Sequence, residues 1–357
     1  MRKMLKKIMR LLRVLMVLMV LVGVSTWLYV QHWLTTPLAL PQAGYTYQLQ
    51  SGRVLGHLAH DLAQQGFLQH PRLLTLYARF SNATKVHAGE YFLPHGVTPQ
   101  QLLEKLRKGE VVLYQVTLVE GWTFRQALAL LHSKDTVKPL LQDKTEAEQL
   151  ALLELPIDYP EGWFFPDTYL YPRDATDIEI MRRAYLQMQQ LLQELWEARA
   201  DNLPYKSPYE ALIMASIVER ETGAEWERDQ IAGVFVRRLQ KGMRLQTDPT
   251  VIYGMGEAYK GKITRKNLQQ ATPYNTYVIK GLPPTPISLP GRAALQATLN
   301  PADGNALYFV AKGDGTTHFS ATLAEHNRAV LRYQLNRRSD YRSTVNPGQS
   351  AEELVNP

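Results

Sequence analysis

The chain has 357 residues, 45% of them hydrophobic and 10% aromatic, enough for one membrane anchor and two globular domains with cores of their own. Its net charge of +7 is concentrated at one end: six basic residues (Arg2, Lys3, Lys6, Lys7, Arg10, Arg13) fall within the first thirteen positions, and the nearly neutral remainder has no basic stripe interleaved with aromatics, which argues against nucleic acid as a partner. There is no cysteine, and the nine histidines are scattered without an HExxH or comparable spacing, so disulfides and thiolate chemistry are excluded and neither a metal nor any other cofactor is expected.

After the basic segment (1–13), Val14–Val30 reads VLMVLMVLVGVSTWLYV without a charge. With Leu11 and Leu12 the apolar run reaches about 20 residues, the length that spans a bilayer, and Arg13 can snorkel to the interface. Trp27 and Tyr29 sit near its far end, where aromatic rings favour the membrane–water boundary. The expectation is an uncleaved transmembrane anchor over 14–33, with the N-terminus in the cytoplasm and the body outside. A cleaved signal peptide is the alternative. It would have a shorter apolar region and a small-x-small site, which Leu38-Ala39-Leu40 and Gln42-Ala43 supply poorly.

Residues 34–44, rich in Pro and small side chains, read as a linker. An αβ module follows over 45–115. Tyr45–Leu49 alternates as a strand, and Val54, Leu55, Leu58, Ala59 and Leu62 recur at helical spacing before Gly66. Pro71–Phe80 reads as a second short helix and Lys85–Leu93 as a strand. Thr98-Pro99-Gln100-Gln101 opens a helix with N-cap, N1 proline and capping box, and Val111–Val119 closes the unit as a strand. Two short strands around two helices resemble a LysM domain, which binds the N-acetylglucosamine backbone of cell-wall glycan; a scaffolding module of the same size reads equally well.

Residues 116–336 form the larger region. Two similar phrases begin it, Val119-Glu120-Gly121-Trp122-Thr123 and Pro160-Glu161-Gly162-Trp163-Phe164-Phe165-Pro166-Asp167-Thr168-Tyr169. Aromatic rings beside carboxylates suit sugars, although such clusters also serve as ordinary core. A long helix is expected over about Asp177–Ala200. The polar residues 337–357 read as a disordered tail.

The segment Pro208–Gly223, PYEALIMASIVERETG, is apolar or small at every position from Ala211 to Val218, so its helix is expected to be buried all round. It runs into Glu219, Arg220, Glu221 and Thr222 before Gly223, a natural helix stop. Glu221 lies one turn beyond Ile217 and Val218, and Glu219 lies over Ala215 and Ser216. Burial and the C-terminal dipole both disfavour a carboxylate there, raising its pKa toward that of a general acid. Read alone, the carboxylates Glu219, Glu221, Glu225, Glu227 and Asp229 could also be a solvated charge run.

Three further stretches follow: RLQKGMRLQTDPTVIYGMG (238–256), TPYNTYVIKGLPPTPISLPG (272–291) and YFVAKGDGTTHFSATLAEHN (308–327). They read as polar loops, with GLPPTPISLPG a stiff extended wall. Together with EGWFFPDTY and ASIVERET they closely resemble the YceG-like family of endolytic murein transglycosylases, over nearly the whole chain.

The resemblance implies an α+β protein: a transmembrane helix, a LysM-like module, and a lysozyme/transglycosylase-like catalytic domain with a helix-borne Glu and a loop-rich cleft. It implies a lyase that cleaves the bond between N-acetylmuramic acid and N-acetylglucosamine in nascent glycan strands, leaving a 1,6-anhydromuramyl end and terminating elongation. The family pattern of Glu followed by Ser or Thr selects Glu221-Thr222 for the acid/base, with Glu219 as runner-up. Gln246, Thr247, Asp248, Tyr253, Tyr274, Asn275, Tyr277 and Trp163 are the candidate substrate-binding residues. Expected partners are peptidoglycan strands, the inner membrane with the body in the periplasm, and, as candidates, peptidoglycan synthases. A muramidase-type hydrolase with Asp248 as second carboxylate, and a non-catalytic glycan-binding scaffold, are the alternatives.

Overall fold

The structure, a computed structural model, describes residues 2–50, 52–221 and 225–336. Thr222, the expected helix stop Gly223 and the expected tail 337–357 lie outside the described residues. The chain is a mixed α/β protein that divides into two compact units, residues 1–114 with 170–174, and residues 115–169 with 175–357.

The first unit begins with α1 (Arg2–Thr35), whose stretch Lys6–Thr35 is long and apolar enough to cross a membrane. Strands β1 (Tyr45–Leu49) and β2 (Gly89–Leu93) pair antiparallel in the register Tyr47↔Tyr91, with α2 (Leu55–Gln64) and α3 (Pro71–Phe80) between them in sequence and α4 (Pro99–Lys108) following. Strand alternation turns Tyr47, Leu49, Tyr91 and Leu93 inward against Leu58, Leu62, Leu74, Leu102 and Leu106. Thr98 caps α4: its hydroxyl accepts from Gln101 N at 3.3 Å, while Gln101 Oε1 accepts from Thr98 N at 3.0 Å.

The segment 34–44, expected to be a linker, carries core residues. Trp33 and Leu34 at the end of α1 are buried with Leu38 and Leu40, and the amides of Leu38 and Ala39 donate to Val97 O and Phe67 O. Its leucines find apolar partners, so the Pro-rich composition produces a pinned strap.

In the second unit β3 (Leu113–Thr117), whose first two residues count with the first unit, leads into α5 (Phe124–His132), β4 (Val137–Lys138), α6 (Glu146–Leu153), β5 (Thr168–Pro172), whose last three residues also count with the first unit, and β6 (Ala175–Thr176). Then come α7 (Asp177–Glu197), α8 (Pro208–Glu221) and α9 (Arg228–Gln240). Beyond them are α10 (Asp248–Met255), α11 (Arg265–Gln269), α12 (Arg292–Leu299), the hairpin β7 (Tyr308–Ala311)–β8 (Thr317–Ser320), and α13 (Leu323–Val330). Helix α8 is the centre of this unit. Every residue from Ala211 to Val218 is buried, against Met188, Leu192, Ile231, Phe235, Leu295 and Leu299 from α7, α9 and α12.

Two of the three stretches expected to be loops fold differently, while 272–291 has no helix or strand. Asp248–Met255 is helical because Pro249 occupies the first turn, where its missing N–H costs nothing, and 308–320 forms a hairpin before α13. Nor are these stretches too polar for a core: Thr247, Thr250, Asn275, Thr276, Thr285 and Ser288 are all buried. They are soluble in the interior because they bond to one another and to the backbone.

Candidate active site

The last turn of α8 carries two carboxyls to opposite sides of the helix, since residues two apart differ by about 200° in helical phase. The helix is held from both ends. At its start Ser207 Oγ accepts from Glu210 N at 3.3 Å and the Glu210 carboxylate accepts from Lys206 N at 2.6 Å. Near its end Ser216 Oγ donates to Ile213 O at 2.7 Å and accepts from Ile287 N at 2.9 Å, while Ser288 Oγ donates to Ser216 O at 3.0 Å. The expected extended wall is thus buried against α8 over 285–291, with Leu289 exchanging backbone bonds with Gly121 and Trp122.

Glu221, the last residue of α8, accepts a hydrogen bond on Oε1 from the Thr247 hydroxyl. Thr247 is itself fixed. Its amide donates to Thr276 Oγ1 at 3.1 Å, its carbonyl accepts from Thr250 Oγ1 at 2.8 Å, and Thr250 and Thr276 share a 2.8 Å hydroxyl contact. These three threonines form a buried polar cluster whose one outward hydroxyl is given to Glu221. Asp248, next in sequence, accepts from the Tyr277 hydroxyl at 2.6 Å. Arg238 lies on the same side, donating through Nε to Leu307 O (2.6 Å) and through Nη1 to Leu245 O (2.8 Å) and Arg244 O (3.2 Å), with Gln246 Oε1 at the limit of bonding distance, 3.5 Å. Gln246 sits at φ +54°, a left-handed conformation that turns the chain between Leu245 and Thr247.

The Glu221 carboxyl is pushed up to about 7. Burial is the main cause; Asp248 pushes the same way, while the Thr247 bond and the Arg238 charge oppose it. The residue keeps some accessible surface, yet protein crowds its carboxyl, and that crowding dominates. No cation forms an ion pair with it among the described residues. The result is a carboxyl that is partly protonated at neutral pH and whose hydrogen-bond donor among the described residues is a neutral hydroxyl.

Glu219 faces a different environment. Its Oε2 accepts from Gly291 N at 3.0 Å and its Oε1 lies 3.6 Å from Arg228 Nη2, both side chains being nearly buried. Burial raises its pKa despite those two contacts, so a pair at 3.6 Å does not fully replace the lost hydration. Arg220 donates to Gly121 O at 3.0 Å.

A cleft of about 1180 Å³ opens nearby, and its lining includes Arg220, Tyr253, Tyr274 and Tyr159 but not Glu221. The connection is α10. Its N-terminal neighbour Thr247 holds Glu221, whereas Pro249, Ile252 and Tyr253 on one of its faces, and Gly256 just after it, line the cleft. Tyr253 and Tyr274 meet edge to face at 5.0 Å, and the Tyr274 hydroxyl lies 2.8 Å from Thr285 Oγ1.

The cleft lining also includes Glu161, a carboxylate that sequence reasoning did not select. It is buried, accepts from Phe124 N at 2.9 Å and from the Tyr253 hydroxyl at 3.1 Å, and burial pushes its pKa to about 7. The signal was its place in the repeated EGW phrase. There Gly162 adopts φ +84°, and a Cβ would stand 2.4 Å from Pro286, so only glycine lets the phrase close on the 285–291 wall.

The sequence candidates therefore separate. Glu221, Thr247, Asp248, Tyr277 and Gln246 gather at the end of α8, and Tyr253 and Tyr274 line the cleft. Asn275 is buried and spends its amide on the backbone, donating to Asn267, Leu268 and Gln270 carbonyls and accepting from Tyr277 N. Trp163, half-buried, stacks on Tyr209 at 5.6 Å and lies beside Tyr185, packed against the core. Neither of these two side chains reaches the cleft, because each already has its partners.

Comparison with known proteins agrees with this architecture. Residues 47–332 match the model of the YceG-like family. The endolytic murein transglycosylase of Bacillus subtilis (strain 168) is 32% identical over 303 residues, covering 80% of this chain and 83% of the relative. That of Streptococcus pneumoniae (strain D39) is 28% identical over 330 residues, covering 81% of this chain and 58% of the longer relative. A crystal structure of a YceG-like protein from Listeria monocytogenes has a TM-score of 0.52 and 28% identity, covering 81% of this chain and 99% of that one. The chain belongs to the YceG-like family.

Proposed function

We propose that the chain is an endolytic murein transglycosylase in which Glu221 is the acid/base. The observation that carries this assignment is the Glu221 surroundings: a buried carboxyl with its pKa near 7, held by a hydroxyl and free of ion pairing among the described residues. Protonated Glu221 donates to the glycosidic oxygen between N-acetylmuramic acid and N-acetylglucosamine. The resulting carboxylate takes the proton from the C6 hydroxyl of the same muramyl sugar as that oxygen attacks C1. The C1–O bond to the leaving sugar breaks, a 1,6-anhydro bridge forms, and no water is consumed. Attack from within one sugar has a high effective molarity, so no second carboxylate is needed as nucleophile.

The Thr247–Thr250–Thr276 cluster aims the acid. The cleft beside α10, walled by Tyr253, Tyr274 and Tyr159, takes sugar faces on its rings. Asp248 stabilises developing positive charge on the sugar, with Tyr277 fixing its orientation. Helix α1 holds the enzyme in the inner membrane with its N-terminus in the cytoplasm, which the basic residues before the span support. The β1–α2–α3–β2 unit is the LysM-like module, supported by its antiparallel strand pair with two intervening helices. Cutting near the membrane terminates nascent strands and places the enzyme beside peptidoglycan synthases.

The test is product analysis by mass spectrometry after digestion of purified murein. The expected products carry 1,6-anhydromuramyl ends within strands. Reducing ends would overturn the lyase reading and turn Asp248 into the base of a hydrolase.

A further inference from the structure

The exit of α1 from the apolar stretch has a geometric consequence. The run from Leu11 to Val30 is about 30 Å long at the helical rise, which matches a bilayer's hydrocarbon core. Tyr29 therefore stands at the outer boundary. One turn later Trp33 and Leu34 are already buried in the core of the first unit, and α1 continues unbroken to Thr35. There is no spacer between span and module, so the module sits at the headgroup layer. The Tyr29 hydroxyl lies 2.9 Å from His70 Nε2, which brings the start of α3 to the same level.

Helix α3, which begins at that level, carries a face without a partner among the described residues. Leu74 and Ala78 are buried, whereas Arg72, Leu76, Arg79 and Phe80 are exposed, at spacings i, i+4, i+7 and i+8 that form one stripe. Phe80 is 84% exposed and Leu76 49%. Neither arginine forms an ion pair among the described residues. A notch of about 370 Å³ lined by Tyr29, His70 and Arg72 opens at the boundary itself. Two free cations flanking two large apolar side chains are the composition of an interfacial helix, whose rings enter the acyl boundary while its cations meet phosphates.

We propose that this face of α3 docks on the anionic phospholipid surface from which α1 emerges, with Arg72 and Arg79 on headgroup phosphates and Leu76 and Phe80 inserted. The proposal rests on the reading of α1 as a membrane span. Docking fixes the first unit on the bilayer and so limits how far from the membrane the strand-binding surfaces can act.

The chain has no cysteine, so single-site labelling is clean. Full-length Phe80→Cys, and Leu186→Cys on an exposed site of the second unit, are labelled with an environment-sensitive fluorophore and reconstituted in phosphatidylglycerol–phosphatidylcholine vesicles. Quenching by headgroup-proximal nitroxide lipid is compared with quenching by aqueous acrylamide. The expected result is several-fold stronger quenching by lipid than by acrylamide at position 80, with position 186 as the exposed reference for acrylamide. Adding Arg72→Glu and Arg79→Glu should weaken docking by roughly fivefold or more per arginine. If the protein floats with the vesicles but position 80 is quenched by acrylamide as freely as position 186, docking is overturned and the span stands. Protection at 80 from both quenchers would mean a protein partner or a second copy on this face, and overturns it too. Failure to float overturns both readings.

Discussion

The two sides of the last turn of α8 are built from the same kind of residue and reach different ends. On one side Glu219 meets Gly291 N–H and the Arg228 guanidinium, both donors with positive character, so its carboxylate is partly compensated. On the other side Glu221 meets a single hydroxyl and has the Asp248 carboxylate nearby, so its charge is opposed and its pKa reaches about 7. Two residues of helix separate a carboxyl with charge-bearing donors from the one proposed as the acid. Position on the helix decides which donors each can reach, and the donors decide the chemistry.

The largest expected effect separates the two sides by activity. Glu221→Gln removes the transferable proton and should lower strand cleavage by about 100- to 10,000-fold, measured as anhydro ends released per unit time. Circular dichroism should show the fold intact.

Stability gives the same comparison with a different sign. A carboxyl whose folded pKa is above its unfolded value destabilises the fold as it ionises. Between the ordinary value of 4.5 and about 7 the unfolded chain holds fewer protons than the native one, so stability falls as pH rises through that window. Glu221 and Glu161 each contribute up to about 3 kcal/mol of that loss. Glu221→Gln should therefore raise the melting temperature at pH 8 and leave it unchanged at pH 4. Glu219→Ala, which strands the Gly291 amide and the Arg228 charge, should instead cost about 2 kcal/mol by urea denaturation.

Finer changes sharpen the Glu221 side. Thr247→Val removes the bond that favours the ionised form, so the Glu221 pKa should rise further and the alkaline limb of the pH–rate profile move upward. The rate itself should drop roughly tenfold as the acid loses its aim, and Thr247→Ser should restore both. Smallest of all, Tyr277→Phe frees Asp248 from one bond and should reduce the rate by about threefold, with no shift of the limb.

Much of this arrangement was legible in the sequence. The all-round apolar run before Glu219 implied a buried helix, and α8 is buried from Ala211 to Val218. The capping box at Thr98 and the apolar segment of α1 were local patterns, and local patterns survive folding. What escaped depends on contacts between distant segments. Thr250 and Thr276 lie in stretches whose polarity reads as loop, because the sequence does not show that their hydroxyls meet at 2.8 Å. Glu161 was hidden in an aromatic phrase, since its value comes from Phe124 N and Tyr253, 37 and 92 positions away. Asn275 and Trp163 read as ligand contacts because amides and indoles bind sugars; in the fold the Asn275 amide bonds the backbone and the half-buried Trp163 stacks on Tyr209. Leu38 and Leu40 likewise sit in a Pro-rich stretch that composition reads as a spacer.

The most direct test of the Glu221 assignment is a side-by-side digestion of the same purified murein by the wild-type protein, Glu221→Gln and Glu219→Gln, with 1,6-anhydromuramyl ends counted by mass spectrometry. The expected result is release by the wild type and by Glu219→Gln, and about 100-fold less or lower still by Glu221→Gln. Anhydro ends from Glu221→Gln together with their loss in Glu219→Gln would contradict it and move the acid to the other side of α8.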